Sequence, residues 1–386
     1  MSFASMPHAW TDRIPCPVIQ IGSGKVQYAN AAAQALFHSQ HCEKALEALR
    51  NRERLAPLFF SAMEQGESAA LYAEVENNYF LLTVWPGDTP DIYFLLFDSL
   101  TFPQTEQVQK EHTVMSFMSA LGNELRAPLS IVFPTLDLLA ASLPGNDEKV
   151  QDYLSSLRHY SFKMLRRMRN LTDLPLLLQG QVSLLIKPHD IVPFLQQIVD
   201  GVQPYVPVEK VTLEFSSEMD SLLIFFDAEK LGRALLNLFA FSLKRLSEGG
   251  KIRFSLRDCD THVFISLQDT GLPLHEQDMI MALDFYQHIH HTADDLTNRQ
   301  IGLELCIVRA IAELHNGSLL LTGSARQGFA ATIALPKQKP DTPLVLKSPA
   351  VDSWSGFMPQ LVELSDAVPT GIAPYTCVKK EPKAQE

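Results

Sequence analysis

Several groups of residues in this 386-residue chain have the types and spacing to do chemistry. Over residues 227–246, Asn237, Phe241 and Lys244 stand four and three apart, which puts them on one face of a helix. Asp269 can accept a hydrogen bond from an amine, and Gly271, two residues on, lets another group approach the backbone closely. In Arg299-Gln300-Ile301-Gly302-Leu303-Glu304, a glycine leads into a helix whose bare amides and dipole would attract an anion, yet Glu304 puts a carboxylate at that end. His288, His290 and His291 could suggest a metal site, but no Cys or acidic partner stands at ligand spacing, which is the pattern of a surface loop. Lys163, Arg166, Arg167 and Arg169 crowd one helix, either as a solvated face balanced by nearby acids or as a patch that meets an acidic partner.

The elements that must hold these residues follow from period and punctuation. Residues 18–21 and 25–29 read as strands joined by Gly22-Ser23-Gly24; a helical stretch starts at Asn30; residues 79–85 and 91–97 flank Pro86-Gly87-Asp88-Thr89-Pro90 as a second hairpin. This predicts a small domain of mixed α and β structure over residues 1–103. Over residues 104–180 the period becomes helical, with Val114, Leu121, Leu125, Leu129, Val132, Leu136 and Leu139 three or four apart or multiples of that, then Val150, Tyr153, Leu154, Leu157, Met164, Met168 and Leu171. Leu143-Pro144-Gly145-Asn146-Asp147 breaks the run, so two helices form a hairpin. Such a hairpin cannot bury its apolar face alone; it pairs with a second copy as a four-helix bundle, or it packs on its own neighbouring domains. From 181 to 338 helices and strands alternate as a sheet covered on one face, with Asp227 the natural cap of the 227–246 helix. Seven of the 24 prolines fall in residues 340–386, which predicts a disordered tail over 339–386. Its apolar cluster at residues 354–362 is either a peptide that docks on a partner or a cluster with no role.

In that setting the stretch Phe117-Met-Ser-Ala-Leu-Gly-Asn123-Glu124-Leu125-Arg126-Ala127-Pro128-Leu129 resembles the phosphoacceptor box of two-component sensor histidine kinases. Asp269-Thr-Gly271-Leu-Pro273 and the run from Gly302 to Gly317 resemble that family's nucleotide-binding boxes, in the same order and spacing. Residues 17–33 look like the opening of a PAS sensor domain. The resemblance implies a multi-domain α+β chain: a small PAS-like domain, a dimeric helical hairpin, and an α/β sandwich of the histidine-kinase ATPase type.

The same resemblance implies chemistry that individual residues contradict. The family's phosphorylated histidine is replaced by Asn123, and an amide is no nucleophile. Neither His112 nor His159 is followed by an acidic residue, and both read as solvent-facing. The residue that would orient water for phosphatase activity is Ala127, and Glu124 alone is as readily a solvated carboxylate; Arg126 and Pro128 complete a degenerate box. Where the family binds magnesium with an asparagine stands Phe241, which offers no oxygen to a hard cation and would fill the pocket. The adenine reader, Asp269 with Gly271, is retained; Phe285 lies in an aromatic motif before a lid stretch without glycine; Gly302 is followed by Glu304 where the triphosphate would lie, at a cost of about 1–4 kcal/mol in like-charge repulsion. Asn237, Lys244 and Gly328 complete a vestigial nucleotide site. Pro128 and Pro134 cannot donate to the Glu124 and Ser130 carbonyls, so with Gly122 they mark a bending-prone helix.

The charge balance narrows the rest. With 32 Lys and Arg against 44 Asp and Glu, net −12, the chain repels phosphate backbones, so nucleic acid is not an expected partner. No apolar run is long enough to span a bilayer. The N-terminus lacks the pattern of a signal peptide. The five cysteines form no CxxC pair, as in a reduced, cytoplasmic protein. The expectation is a cytoplasmic homodimer that regulates by binding a response regulator or a sensor kinase, with no cofactor or metal. The alternatives are a divergent active kinase using ATP and magnesium, or an adenine-nucleotide sensor.

Overall fold

The computed structural model describes residues 17–22, 25–37, 56–65, 68–75, 78–86, 92–99, 122, 124, 125, 128, 129, 131–142, 148–178, 182–206, 211–247, 249–272, 274, 279, 303–324, 328–337 and 359–368. In the N-terminal part β1 (Val18–Gly22) and β2 (Lys25–Ala29) form the expected hairpin, with Gly22 opposite Lys25 and a bulge between Gln20 and Ile21. Asn30 then does two jobs. Its side-chain oxygen accepts from the Ala33 N–H at 2.9 Å, capping α1 (Ala31–Leu36), and from the Val18 N–H at 2.9 Å, tying that cap to β1. Next come α2 (Ala56–Glu64), β3 (Ser68–Val75), β4 (Asn78–Pro86) and β5 (Ile92–Ser99). These five strands run in the order β2-β1-β5-β4-β3.

Two helices follow, α3 (131–142) and α4 (Glu148–Leu178). The rings of Phe133 and Phe162 lie 4.7 Å apart, Arg158 donates to Asp137 at 2.8 Å, and a Cβ on Gly122 would sit 2.2 Å from the Thr172 methyl. As one number rises the other falls, so the helices run antiparallel, and the lack of a side chain at Gly122 makes room for the Thr172 methyl. Leu154, Phe162 and Met168 are buried, whereas Tyr153, Leu157, Tyr160 and Met164 of α4 and Ile131 and Leu138 of α3 form an exposed apolar face. His159, expected to face solvent, is instead buried beside Tyr160. His112 lies outside the described residues.

The third part begins with β6 (Lys187–Asp190), which pairs with β8 (Leu223–Phe226) as a separate two-stranded ribbon around α5 (Ile191–Val202) and β7 (Val211–Ser217). After it come α6 (Ala228–Arg245), β9 (Gly250–Cys259), β10 (His262–Asp269), α7 (Leu303–Leu314), β11 (Ser318–Ser324) and β12 (Gly328–Pro336). Asp227 caps α6 as its sequence promised, accepting from the Lys230 N–H at 3.0 Å. Among the described residues β7 and β9 pair in parallel and the other neighbours are antiparallel.

Domain punctuation gave no sign of how these parts join. β11 pairs antiparallel with β3, from Leu320 opposite Leu71 to Gly323 opposite Ser68, so one ten-stranded sheet runs β2-β1-β5-β4-β3-β11-β12-β10-β9-β7. Side chains alternate across the seam, as strand geometry requires. Leu319 and Leu321 enter the large core under α5, α6 and α7, while Leu320 enters the core that Phe37, Phe59, Leu82 and Phe97 build on the opposite face.

The expected disordered tail is corrected over residues 359–368, the part of it that is described. α8 (Pro359–Glu363) and the turn that continues it to Val368 are packed in place: Val362 joins Phe133 and Phe162, and Leu364 and Val368 join the large core. Enough apolar side chains recur here at helical spacing to offset the ordering entropy that the surrounding prolines suggested would win.

His315 closes α7 onto α6. Its Nε2 accepts from the Asp227 N–H at 3.0 Å and its Nδ1–H donates to the Ile311 carbonyl at 2.8 Å, an arrangement only the neutral ring can make. Burial lowers its pKa from the ordinary 6.5. The folded state therefore binds fewer protons than the unfolded one, and stability falls as pH drops below about 6.5. Thermal melts between pH 7.5 and 5 should show this slope, and His315→Phe should flatten it while costing about 1–3 kcal/mol at pH 7.5 through the orphaned Asp227 amide.

Candidate functional site

Helix α6 is buried along the whole stretch from Leu231 to Ser242. One side rests on the sheet, and the other meets α4, α7 and α8. A helix covered all round can carry polar groups only if they satisfy one another. The polar face of α6 consists of Arg233, Asn237 and Lys244, joined by Phe241.

The centre of the network is Arg166 of α4, which is fully buried. Its guanidinium donates to Asn237 Oδ1 at 3.1 Å and to Asp366 Oδ2 at 3.0 Å, and it lies 3.4 Å from Glu304 Oε1 and 3.5 Å from Glu363 Oε2. Lys244 Nζ donates to the same Glu304 oxygen at 2.6 Å. Asn237 gives its amide hydrogens to the Arg233 carbonyl at 2.9 Å and to Glu363 at 3.2 Å. Arg233 pairs with Asp173 at 2.5 Å and donates to Asn170 at 3.2 Å, and Arg169 lies 3.3 Å from Glu363. Four cations, Arg166, Arg169, Arg233 and Lys244, thus meet four carboxylates, Asp173, Glu304, Glu363 and Asp366. The cluster is neutral without any bound ion.

Glu304 sits in the first turn of α7 and is buried. Burial alone would raise its carboxyl, but Lys244 and Arg166 outweigh it and hold the pKa below the ordinary 4.5. The anion that a helix N-terminus attracts is therefore supplied by the chain itself.

A second group lies at the far end of α6. The Phe241 and Phe329 rings are 5.0 Å apart, and the Arg245 guanidinium lies 5.1 Å and 5.4 Å from their centroids. Asp269, fully buried at the end of β10, accepts from the Gly271 N–H at 2.8 Å through Oδ1. Its Oδ2 has no hydrogen-bond partner among the described residues. Burial pushes this carboxyl above the ordinary range, against the Ser242 hydroxyl, the Gly271 amide, Arg245 and the Phe329 amide. Gly328 crosses directly over it: φ is +77°, and a Cβ there would lie 2.1 Å from the Asp269 carbonyl oxygen, so no other residue fits.

The structure thus brings together Asn237, Lys244 and Glu304 in one cluster, and Phe241, Asp269, Gly271 and Gly328 in the other. Glu124 and Pro128 are exposed on the helical segment. Asn123, Arg126, Ala127, Phe285, Gly302 and the histidines at 288, 290 and 291 lie outside the described residues. The basic patch on α4 is corrected: Arg166 is a buried hub and Arg169 faces Glu363, so neither belongs to a solvated face. Arg233, Asp173, Glu363 and Asp366 were missed. Arg233 could have been found four residues before Asn237 on the same helical face. Glu363 and Asp366 lie just beyond the apolar cluster of the tail.

Residues 226–339 match the family described as "Histidine kinase-, DNA gyrase B-, and HSP90-like ATPase". Over 244 residues, 63% of this chain, the sequence is 25% identical to Histidine kinase P4 of Formosa agariphila. Residues 226–339 thus carry an ATPase domain of this type, and the longer match is to part of a sensor histidine kinase. Circadian input-output histidine kinase CikA of Synechococcus elongatus is 23% identical over 72% of the chain. The chain spans 18% of the first of these relatives and 36% of the second, so it corresponds to part of each. Among solved structures, full-length ShkA in complex with AMPPNP is similar over 59% of this chain and 47% of that one, with 21% identity and a TM-score of 0.48.

Glu304 is held between Lys244 and Arg166 in the buried cluster. Glu304→Gln leaves Lys244 and Arg166 short of a charge and should destabilise the fold by about 3 kcal/mol at pH 7. Because the Glu304 pKa is depressed, its contribution is complete above about pH 4.5 and is lost as pH falls through the lower folded value. Denaturant melts of both proteins should therefore converge in acid.

Proposed function

We propose that this chain is a sensor-kinase-like signalling regulator that acts by binding and has no autokinase activity. The observation that carries the reading is the Glu304–Lys244–Arg166 ion cluster. A triphosphate placed at the start of α7 would have to displace a buried carboxylate and separate a 2.6 Å ion pair. Phe241, at the position where the family it resembles binds magnesium, packs on Phe329, and neither ring offers an oxygen to magnesium. With Asn123 in the acceptor position, the phosphoryl group has neither a donor site nor a nucleophile.

Binding then rests on surfaces. The exposed face of Ile131, Leu138, Tyr153, Leu157, Tyr160 and Met164 fits a second copy of the hairpin, giving a homodimeric four-helix bundle. The same hairpin would engage a response regulator or a partner kinase. The strand order β2-β1-β5-β4-β3, with α1 and α2 on one face, supports reading residues 1–103 as a PAS-like input domain. A cytoplasmic location fits this role. Among the described residues no helix is long and apolar enough to cross a membrane.

One observation favours a second reading. Asp269 keeps an unpartnered, fully buried carboxylate oxygen where an adenine amine would donate, so the chain could serve as an adenine-nucleotide sensor without turnover. Calorimetric titration of ATP and ADP with magnesium into the purified chain separates the readings. The first expects no heat and no thermal shift at millimolar nucleotide. A ligand at 100 times its dissociation constant would stabilise the fold by about 2.7 kcal/mol. Magnesium-independent binding lost in Asp269→Asn would establish the sensor. Magnesium-dependent binding with label transferred to protein would restore the active kinase.

A further inference from the structure

The segment Pro359–Val368 has the composition of a ligand. Its apolar residues Leu361, Val362, Leu364 and Val368 pack into the protein, and Glu363 and Asp366, three apart, face the cation cluster on α4 and α6. Everything the acids touch belongs to other elements: Arg166 and Arg169 on α4, Asn237 and Lys244 on α6, with Arg233 3.6 Å from Glu363. Remove the segment and the carboxylates that remain in contact with the four cations are Asp173 and Glu304, with Glu229 acting on Arg169 from the exposed first turn of α6, so positive charge is left in excess in an apolar-walled groove. A groove of that kind cannot stay empty at low cost. It demands an anionic, amphipathic occupant.

We infer that this groove is a docking site for an acid-bearing amphipathic helix of a partner protein, and that Pro359–Val368 is its resident, removable occupant. Only 22 residues join β12 to α8, so the tether holds the segment near its groove at an effective concentration on the order of millimolar. A free helix of equal affinity loses that competition at micromolar levels and wins once the resident acids are weakened or the segment is drawn away. Because the occupant touches both α4 and α6, exchange also changes what holds the helical pair against the sheet domain. This site is separate from the exposed hairpin face and from Asp269, and it shares Arg166 and Lys244 with the ion cluster on which the proposed function rests.

The test uses the full chain and a fluorescent peptide of residues 356–370. The wild-type chain should bind the peptide weakly, and E363Q/D366N should bind it at least tenfold more tightly, because its own segment competes less. The peptide carrying the same two changes should lose that gain, and Arg169→Glu added to the double variant should abolish it. Equal binding to wild type and variant, or binding to neither, overturns the inference. Hydrogen exchange on the wild-type chain gives a readout that needs no variant. Amides of 361–368 should exchange by local opening, well before those of α6; exchange of both only on global unfolding would make the segment part of the core and overturn the inference too.

Discussion

A fully buried arginine sets the terms for the rest of this structure. Moving a guanidinium out of water costs several kcal/mol even after relaxation, and Arg166 recovers that only by surrounding itself with acceptors from three other elements. α6 must present Asn237, α7 must begin with Glu304, and the C-terminal segment must return to deliver Glu363 and Asp366. Asn237, Glu304 and Glu363 are buried for the same reason, and Asp366 is half-buried beside them. Four elements that are distant in sequence are thereby held in one mutual geometry by charge, where packing alone would tolerate several arrangements.

The consequence for function comes from the same pairing. In an ATPase of this family type, a helix N-terminus and a lysine are resources for binding an anionic ligand. Here both are spent internally, the helix end on Glu304 and Lys244 on that same carboxylate. Asp269, the Gly271 amide and the Gly328 crossing form a second, separate group at the end of β10.

Much of this was legible in the residues, and the illegible part has a physical pattern. Local signals held where one element decides its own shape: Gly22-Ser23-Gly24 for the first hairpin, Asn30 and Asp227 as caps, the α6 face with Asn237, Phe241 and Lys244. The carboxylate at Glu304 could be read as a charge in the wrong place, but not as one already neutralised, because its partners come from 60 and 138 residues away. Arg166 and His159 looked solvated because a helix exposes some face in any single-element reading, and only the third layer buries these. The tail read as disordered because proline counts outweighed four apolar residues whose receiving groove exists only after the remainder has folded. The seam between β3 and β11 left no trace at all. Edge pairing is a property of two strands, and neither carries its partner's address.

That seam has one more consequence. A sheet edge left open is a row of free donors and acceptors that can template another chain, and proteins usually blunt it with charge or cover. β11 carries Leu319, Leu320 and Leu321 in succession, with no charge along Ser318–Ser324. Bare, it would be an adhesive margin; β3 lies along it and closes it. Whatever the first hundred residues detect, they also serve as a hem. Once they are cut away, the remaining protein would be drawn toward its own copies along that line.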